Sequence, residues 1–196
     1  MSIKIGIAGP VGSGKTSIIE SLTNMLKESY TVGIVTNDIY TTEDANYLKS
    51  QLDINSDLII GVETGGCPHT AIRDDISMNQ KACEELEAES NPDIIFVESG
   101  GDNLSATFSY ELVDYYMYVI DVAQGGDIPR KKGAGLLFSD LLIINKTDLA
   151  PYVNVDLDLM KSDVKENRKN KPYLFISTQD TQSLENMKAW VVALLT

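Results

Sequence analysis

A strand-like run, Ile3 to Ala8, passes straight into Gly9-Pro10-Val11-Gly12-Ser13-Gly14-Lys15-Thr16, and Lys15 opens a helical pattern that continues to Glu28. Few segments restrict a fold as tightly. A G-x-x-x-x-G-K-[ST] pattern between a strand and a helix lets the backbone wrap closely around phosphate oxygens, with successive N–H groups turned inward. Lys15 is placed to reach the β- and γ-phosphates, the Thr16 hydroxyl to ligate Mg²⁺, and the helix adds its positive N-terminal end. Gly9, Gly12, Ser13, Gly14, Lys15 and Thr16 therefore read as a cradle for a nucleoside triphosphate. The spacing G-x-x-G-x-G does not fit a dinucleotide loop.

Short β-branched runs alternate with helical patterns along the rest of the chain. Ile3 to Ala8, Thr31 to Val35, Leu58 to Val62, Ile94 to Val97, Met117 to Asp121, Leu141 to Ile144 and Tyr173 to Ile176 read as strands. Most are continuously apolar, as strands buried on both faces of a parallel sheet must be. Lys15–Glu28, Thr42–Ser50, Ala71–Ala88, Asp156–Arg168 and Ser183–Leu195 read as helices, the last with Leu184, Met187, Val191 and Leu194 on one face and Ser183 as its N-cap. The alternation predicts an α/β fold: a doubly wound, mostly parallel sheet with helices on both faces, built as a single domain over residues 1–196. Ligands of such sheets bind beyond the carboxyl ends of the strands, so the loops that follow strands carry the functional information.

A net charge of −13 argues against nucleic acid, which needs a basic footprint. No apolar run is long enough for a transmembrane helix, and the strand at the N-terminus leaves no room for a signal peptide. With two cysteines and no export signal, a cytoplasmic location with free thiols is expected.

Strand Leu141 to Ile144 runs into Asn145-Lys146-Thr147-Asp148. A carboxylate at Asp148 can accept from the N1–H and N2 amino group of guanine together. Against adenine it would face a ring acceptor and stay unpaired, which favours GTP over ATP. Three acids close strands in the first half of the chain: Asp38 after Val35-Thr36-Asn37, Glu63 after Ile60-Gly61-Val62, and Glu98 after Ile94 to Val97. Each is a candidate partner for nucleotide-bound Mg²⁺, which takes one or two carboxylates beside phosphate oxygens and water. Glu98 precedes Ser99-Gly100-Gly101, where a glycine N–H such as that of Gly101 can sense the γ-phosphate.

His69, the single histidine, lies two residues after Cys67 in Glu63-Thr64-Gly65-Gly66-Cys67-Pro68-His69. Nitrogen and sulfur together suit nickel or zinc, yet two ligands are half of a closed site. A second copy of the chain is the simplest source of the rest, giving an S₂N₂ set on a two-fold axis. Cys83 lies within a helical pattern and reads as core. Asp121 and Arg130 are polar loop candidates for the hydrolytic step, and Arg130-Lys131-Lys132 reads as a solvated loop or a partner contact.

Taken together, Gly9–Thr16, Thr36-Asn37-Asp38-Ile39-Tyr40-Thr41, Val62 to Arg73, Glu98 to Leu104, Asp121 to Gly125 and Asn145 to Pro151 resemble one family closely, the UreG urease accessory GTPases, over nearly the whole chain. The resemblance implies a GTPase, with slow intrinsic turnover expected, that dimerises with nucleotide bound and helps deliver nickel during urease maturation. It implies Lys15 and Thr16 as phosphate and Mg²⁺ contacts, Asp38 and Glu63 as Mg²⁺-associated acids, and Asn145, Lys146 and Asp148 as guanine contacts. Cys67 and His69 become ligands of nickel, or of zinc in its place. Urease apoprotein and the other urease accessory proteins become the expected partners. The sequence lacks the histidine-rich N-terminal extension of some members, and the region after Pro151 carries few family blocks. Competing readings are a small-molecule kinase, which leaves Asn145–Asp148 and Cys67–His69 without work, a hydrogenase-type nickel-insertion GTPase, and a nickel- or zinc-buffering scaffold that holds GTP structurally.

Overall fold

The computed structural model describes residues 2–39, 41–66, 68–101 and 106–195. Seven strands form one sheet: β1 Ile3–Ala8, β2 Val32–Asp38, β3 Ile59–Glu63, β4 Ile94–Glu98, β5 Tyr115–Asp121, β6 Leu141–Asn145 and β7 Tyr173–Phe175, in the order β3-β2-β4-β1-β5-β6-β7. Every neighbouring pair is parallel. The helices are α1 Lys15–Leu26, α2 Glu43–Gln51, α3 Pro68–Arg73, α4 Ser77–Glu89, α5 Ile128–Lys131, α6 Ala134–Phe138, α7 Leu157–Arg168 and α8 Thr181–Ala193.

The continuous apolar runs work because successive strand side chains feed opposite faces. Ile94 and Phe96 of β4 join Ile18, Leu22 and Leu48 of α1 and α2 and Met187 and Val191 of α8. Their neighbours Ile95 and Val97 join Leu86 of α4 and Met160 and Val164 of α7. Both faces are covered, as expected of a doubly wound sheet. No helix among the described residues is long and apolar enough to cross a membrane.

Two local expectations need correction. The pattern over Ala71–Ala88 is broken: α3 ends at Arg73 and α4 begins at Ser77. Asp75 Oδ1 accepts from Ser77 N at 3.3 Å and Ser77 Oγ at 2.6 Å, a local alternative to helical hydrogen bonding. At α8 the cap is Asp180, whose carboxylate accepts from the N–H groups of Gln182 and Ser183, each at 3.2 Å. Ser183 sits inside the first turn and donates to Asp180 O at 2.9 Å.

The strand order fixes where a ligand can sit. From β1 the chain builds outward through β2 and β3, returns as β4, then crosses β1 to continue as β5. The reversal leaves a crevice at the carboxyl end of β1, where the phosphate loop begins.

Candidate nucleotide and cation site

A cavity of about 430 Å³ opens at that crevice, lined by Gly12, Gly14, Lys15, Thr16, Asn37, Asp38, Asp44, Glu98, Gly101 and Lys146 among others. Gly14 caps α1 at φ 97°, and a Cβ there would lie 2.4 Å from Asn145 Nδ2. Only glycine fits both constraints.

An anion cradle must keep its carbonyl dipoles turned away from the anion, and this loop does so with borrowed donors. Pro10 O accepts from Ser13 N at 3.2 Å and Lys15 Nζ at 3.3 Å. Val11 O accepts from Gln124 Nε2 at 3.3 Å, Gly12 O from Lys146 Nζ, and Ser13 O from Asn145 Nδ2 at 3.0 Å. Four consecutive carbonyls are thus engaged by the protein, three of them by side chains from the β5 and β6 loops. Asp121 steadies two of these three anchors, Gln124 and Lys146. Its carboxylate accepts from the N–H groups of Ala123 and Gln124 at 2.8 and 3.2 Å and lies 3.4 Å from Lys146 Nζ.

The opposite wall is acidic. Thr16 Oγ1 donates to Glu98 Oε1 at 2.8 Å, with Asp44 Oδ1 3.4 Å away. Glu98 is 1% exposed, and its Oε2 has no hydrogen-bond partner among the described residues. Burial pushes its carboxyl up to about 7; Asp44 and Asp38 add to the rise, while Lys15 and the Thr16 hydroxyl oppose it. Asn37 reaches under the site, donating from Nδ2 to Glu98 O at 2.8 Å. Asp38 accepts from Ile39 N at 2.6 Å and from the Thr41 hydroxyl. Three carboxylates beside a phosphate cradle would repel a triphosphate unless a cation stood between them. Thr16 Oγ1, Asp38, Asp44 and the Glu98 carboxylate offer hard oxygens of the kind Mg²⁺ takes. Among the described residues no three His, Cys, Asp or Glu side chains close into a metal cage by themselves.

At the base end, Lys146 takes a left-handed turn at φ 58° as its N–H bonds Asn145 Oδ1 at 2.8 Å, which brings Asp148 to the surface. Ser177 Oγ, just past β7, donates to Asp148 Oδ1 at 2.6 Å. The structure thus assembles Gly12, Gly14, Lys15, Thr16, Asp38, Glu98, Gly101 and Lys146 around one crevice, with Asn145 tied to Ser13 of the same loop; Asp148 is exposed and is not among the lining residues.

Glu63 is placed differently. It pairs in register with Asp38 but sits on the outermost strand, exposed, lining a separate surface cavity with Thr42, Met78 and Lys81. Cys67 lies outside the described residues; His69 is half-buried in α3. Arg130 pairs with Asp163 at 3.1 Å, and Lys131 with Asp127 at 2.9 Å, which accounts for much of the basic cluster structurally. Sequence reasoning missed Asp44, Asn37, Gln124 and Ser177. Asp44 reads as an ordinary acid in the first turn of a helix, and Asn37 was available as the last polar residue before a strand-end acid.

A model of the CobW/HypB/UreG nucleotide-binding domain matches residues 3–175. The urease accessory protein UreG of Aliarcobacter butzleri (strain RM4018) is 77% identical over 195 residues, covering 100% of both chains. The chain is a UreG-type member of the CobW/HypB/UreG family. The UreG of Lysinibacillus sphaericus (strain C3-41) is 58% identical over 190 residues, 96% of this chain and 91% of that one. Among solved structures, the hydrogenase maturation factor HypB from Archaeoglobus fulgidus superposes with a TM-score of 0.80 at 22% identity, covering 100% of this chain and 91% of that chain. HypB from Helicobacter pylori, solved in complex with nickel, gives 0.82 at 24% identity, covering 99% and 87%. At these identities the likeness is one of fold.

Proposed function

We propose that residues 1–196 act as a single GTPase domain that couples GTP binding and slow hydrolysis to nickel delivery during urease maturation. The observation that carries this reading is the crevice itself, with engaged carbonyls and phosphate-facing glycines on one wall and Thr16, Asp38, Asp44 and Glu98 on the other. Lys15 would hold the β- and γ-phosphates and Gly101 N–H the γ-phosphate, while Thr16 and the acids hold Mg²⁺, which supplies charge neutralisation at the phosphates. Asp148, held by Ser177, would select guanine through its carboxylate oxygens.

Nickel is the cargo. Cys67 and His69 offer the soft and borderline ligands it favours, and the UreG relatives and a nickel-bound structural neighbour are consistent with that assignment. Two ligands per chain imply a homodimer with one metal shared between protomers; zinc fits the same set. Urease apoprotein and the other urease accessory proteins are the proposed partners, in the cytoplasm.

The test is mass measurement by size exclusion and light scattering with Ni²⁺ and GTP, GDP or a non-hydrolysable GTP analogue, paired with phosphate release. Dimers carrying one metal per two chains, formed only with GTP or its analogue, are expected. A full-affinity metal site in a monomeric Cys67→Ala/His69→Ala variant would refute the cargo assignment.

A further inference from the structure

The parallel ladder between β2 and β3 does not stop where the strands end. Its last register pair is Asp38 with Glu63. Beyond it Thr64 N donates to Asp38 O at 2.9 Å and Gly65 N to Ile39 O at 3.0 Å. Thr64 adds a second bond to the same carbonyl, Oγ1 to Asp38 O at 3.2 Å, using both lone pairs of that oxygen.

Asp38 therefore faces two ways. Its carboxylate lines the nucleotide crevice, while its carbonyl holds the segment that leaves β3 three residues before Cys67. The chain that follows Asp38 is also seated on β3. A Cβ at Gly61 would come within 2.9 Å of Thr42 Cγ2 and 3.0 Å of Ala45 Cβ, so the start of α2, which carries Asp44, rests directly on that strand. Among the described residues no strand lies on the outer side of β3. Whatever moves Asp38 and Asp44 together must carry the exit of β3 along or break the Thr64 bonds.

We propose that Thr64 is the positioning residue through which occupancy of the nucleotide crevice is transmitted to the segment bearing Cys67 and His69. The role of that segment rests on the function proposed above; the link between Asp38 and Thr64 does not. Of the hydrogen bonds described from Thr64 and Gly65 to the exit of β2, the one from the Thr64 hydroxyl can be removed without touching the backbone.

Thr64→Val removes the donor at nearly constant shape with a residue that strands favour, and Thr64→Ser keeps it. Three quantities are read on the full chain. They are Ni²⁺ and Zn²⁺ affinity with and without a non-hydrolysable GTP analogue and Mg²⁺, nucleotide affinity with and without metal, and hydrogen exchange across residues 59–66 with and without nucleotide in metal-free buffer. Thr64→Val should bind nucleotide within about twofold of the parent. The factor by which nucleotide enhances metal affinity should fall by about two- to tenfold, the worth of one side-chain hydrogen bond. Reciprocity requires the same fall in the effect of metal on nucleotide affinity. The nucleotide-induced change in exchange at 59–66 should shrink, and Thr64→Ser should restore all three. An unchanged coupling factor and unchanged exchange response in Thr64→Val would overturn the inference, as would a loss that Thr64→Ser fails to restore. A parent protein whose 59–66 exchange responds to nucleotide while its metal affinity does not overturns the metal-delivery reading and leaves the Thr64 link standing.

Discussion

Glu98 is a buried carboxyl in the crevice whose ionisation the fold resists, and Glu98→Gln exposes the consequence. Burial lifts its carboxyl from an ordinary 4.5 to about 7. The folded chain therefore binds this proton more tightly than the unfolded chain, and holds more protons than it between pH 4.5 and about 7. Stability must fall as pH rises through that window. At 1.36 kcal/mol per unit the full effect is about 3 kcal/mol, with little solvent screening because the residue is 1% exposed. Glutamine keeps the shape and an oxygen to accept from Thr16, but carries no charge. In chelator-treated, nucleotide-free buffer, urea unfolding of the two proteins should give similar free energies near pH 4.5. The variant should then gain steadily, reaching about 3 kcal/mol above pH 7, or roughly 6–12 °C in Tm for a chain of this size. Carboxyls remote from Glu98 titrate alike in both proteins and cancel in the difference; Asp44 and Asp38, which face it, are relieved of its charge in the variant and add to the same trend. Saturating GTP and Mg²⁺ should reverse the order, since the bound cation gives the carboxylate the partner it lacks in the empty site. A stability difference independent of pH between 5 and 8 would refute the claim that the empty site holds a disfavoured charge.

Asp148→Asn replaces an acceptor with a donor at the guanine edge. Two bonds to a charged acceptor at about 1.5 kcal/mol or more each predict at least a hundredfold loss of GTP affinity, with a gain for xanthosine triphosphate, whose ring carbonyl can accept from the new amide. Equal losses for GTP and ATP in a binding titration would sink the guanine assignment. Arg168 is buried and donates to the carbonyls of Leu136, Ser139 and Pro172 and to the Ser139 hydroxyl, tying the end of α7 to the loop before β6. Lysine cannot span that fork, so Arg168→Lys should cost about 2–4 kcal/mol in urea unfolding; an unchanged midpoint would show the strap to be dispensable. Burial pushes the Cys83 thiol up to about 12, so at pH 8 it stays protonated and covered. Iodoacetamide should leave Cys83 unmodified in the native protein and alkylate it in urea, and mass spectrometry showing native-state modification would contradict that placement.

What could be read from the chain, and what could not, follows from the range of the forces involved. The sheet was legible because strands covered on both faces must be apolar at successive positions, and Ile94 to Val97 has no other economical use. The phosphate loop was legible because its demands are local: positive φ, close approach and a helix start. The break between α3 and α4 was not, since Ile72, Ala82, Cys83 and Leu86 reach the same core across it and keep helix-like spacing throughout. Nor was the bond from Gln124 to Val11, whose partners are 113 positions apart. The strand-end acids mark the boundary most sharply. Asp38, Glu63 and Glu98 each close a parallel strand, and that local fact says which end of the sheet they occupy but not how far each stands from β1. Distance is set by the order β3-β2-β4-β1, a property of pairing between remote segments. It puts Glu98 beside the loop, Asp38 one strand further and Glu63 at the rim. Asp44, which ends no strand, takes the place beside Thr16 because α2 starts where the chain turns back from Asp38. Glu63 therefore stands outside the crevice, while the residue after it, Thr64, grips the carbonyl of the acid that lies inside.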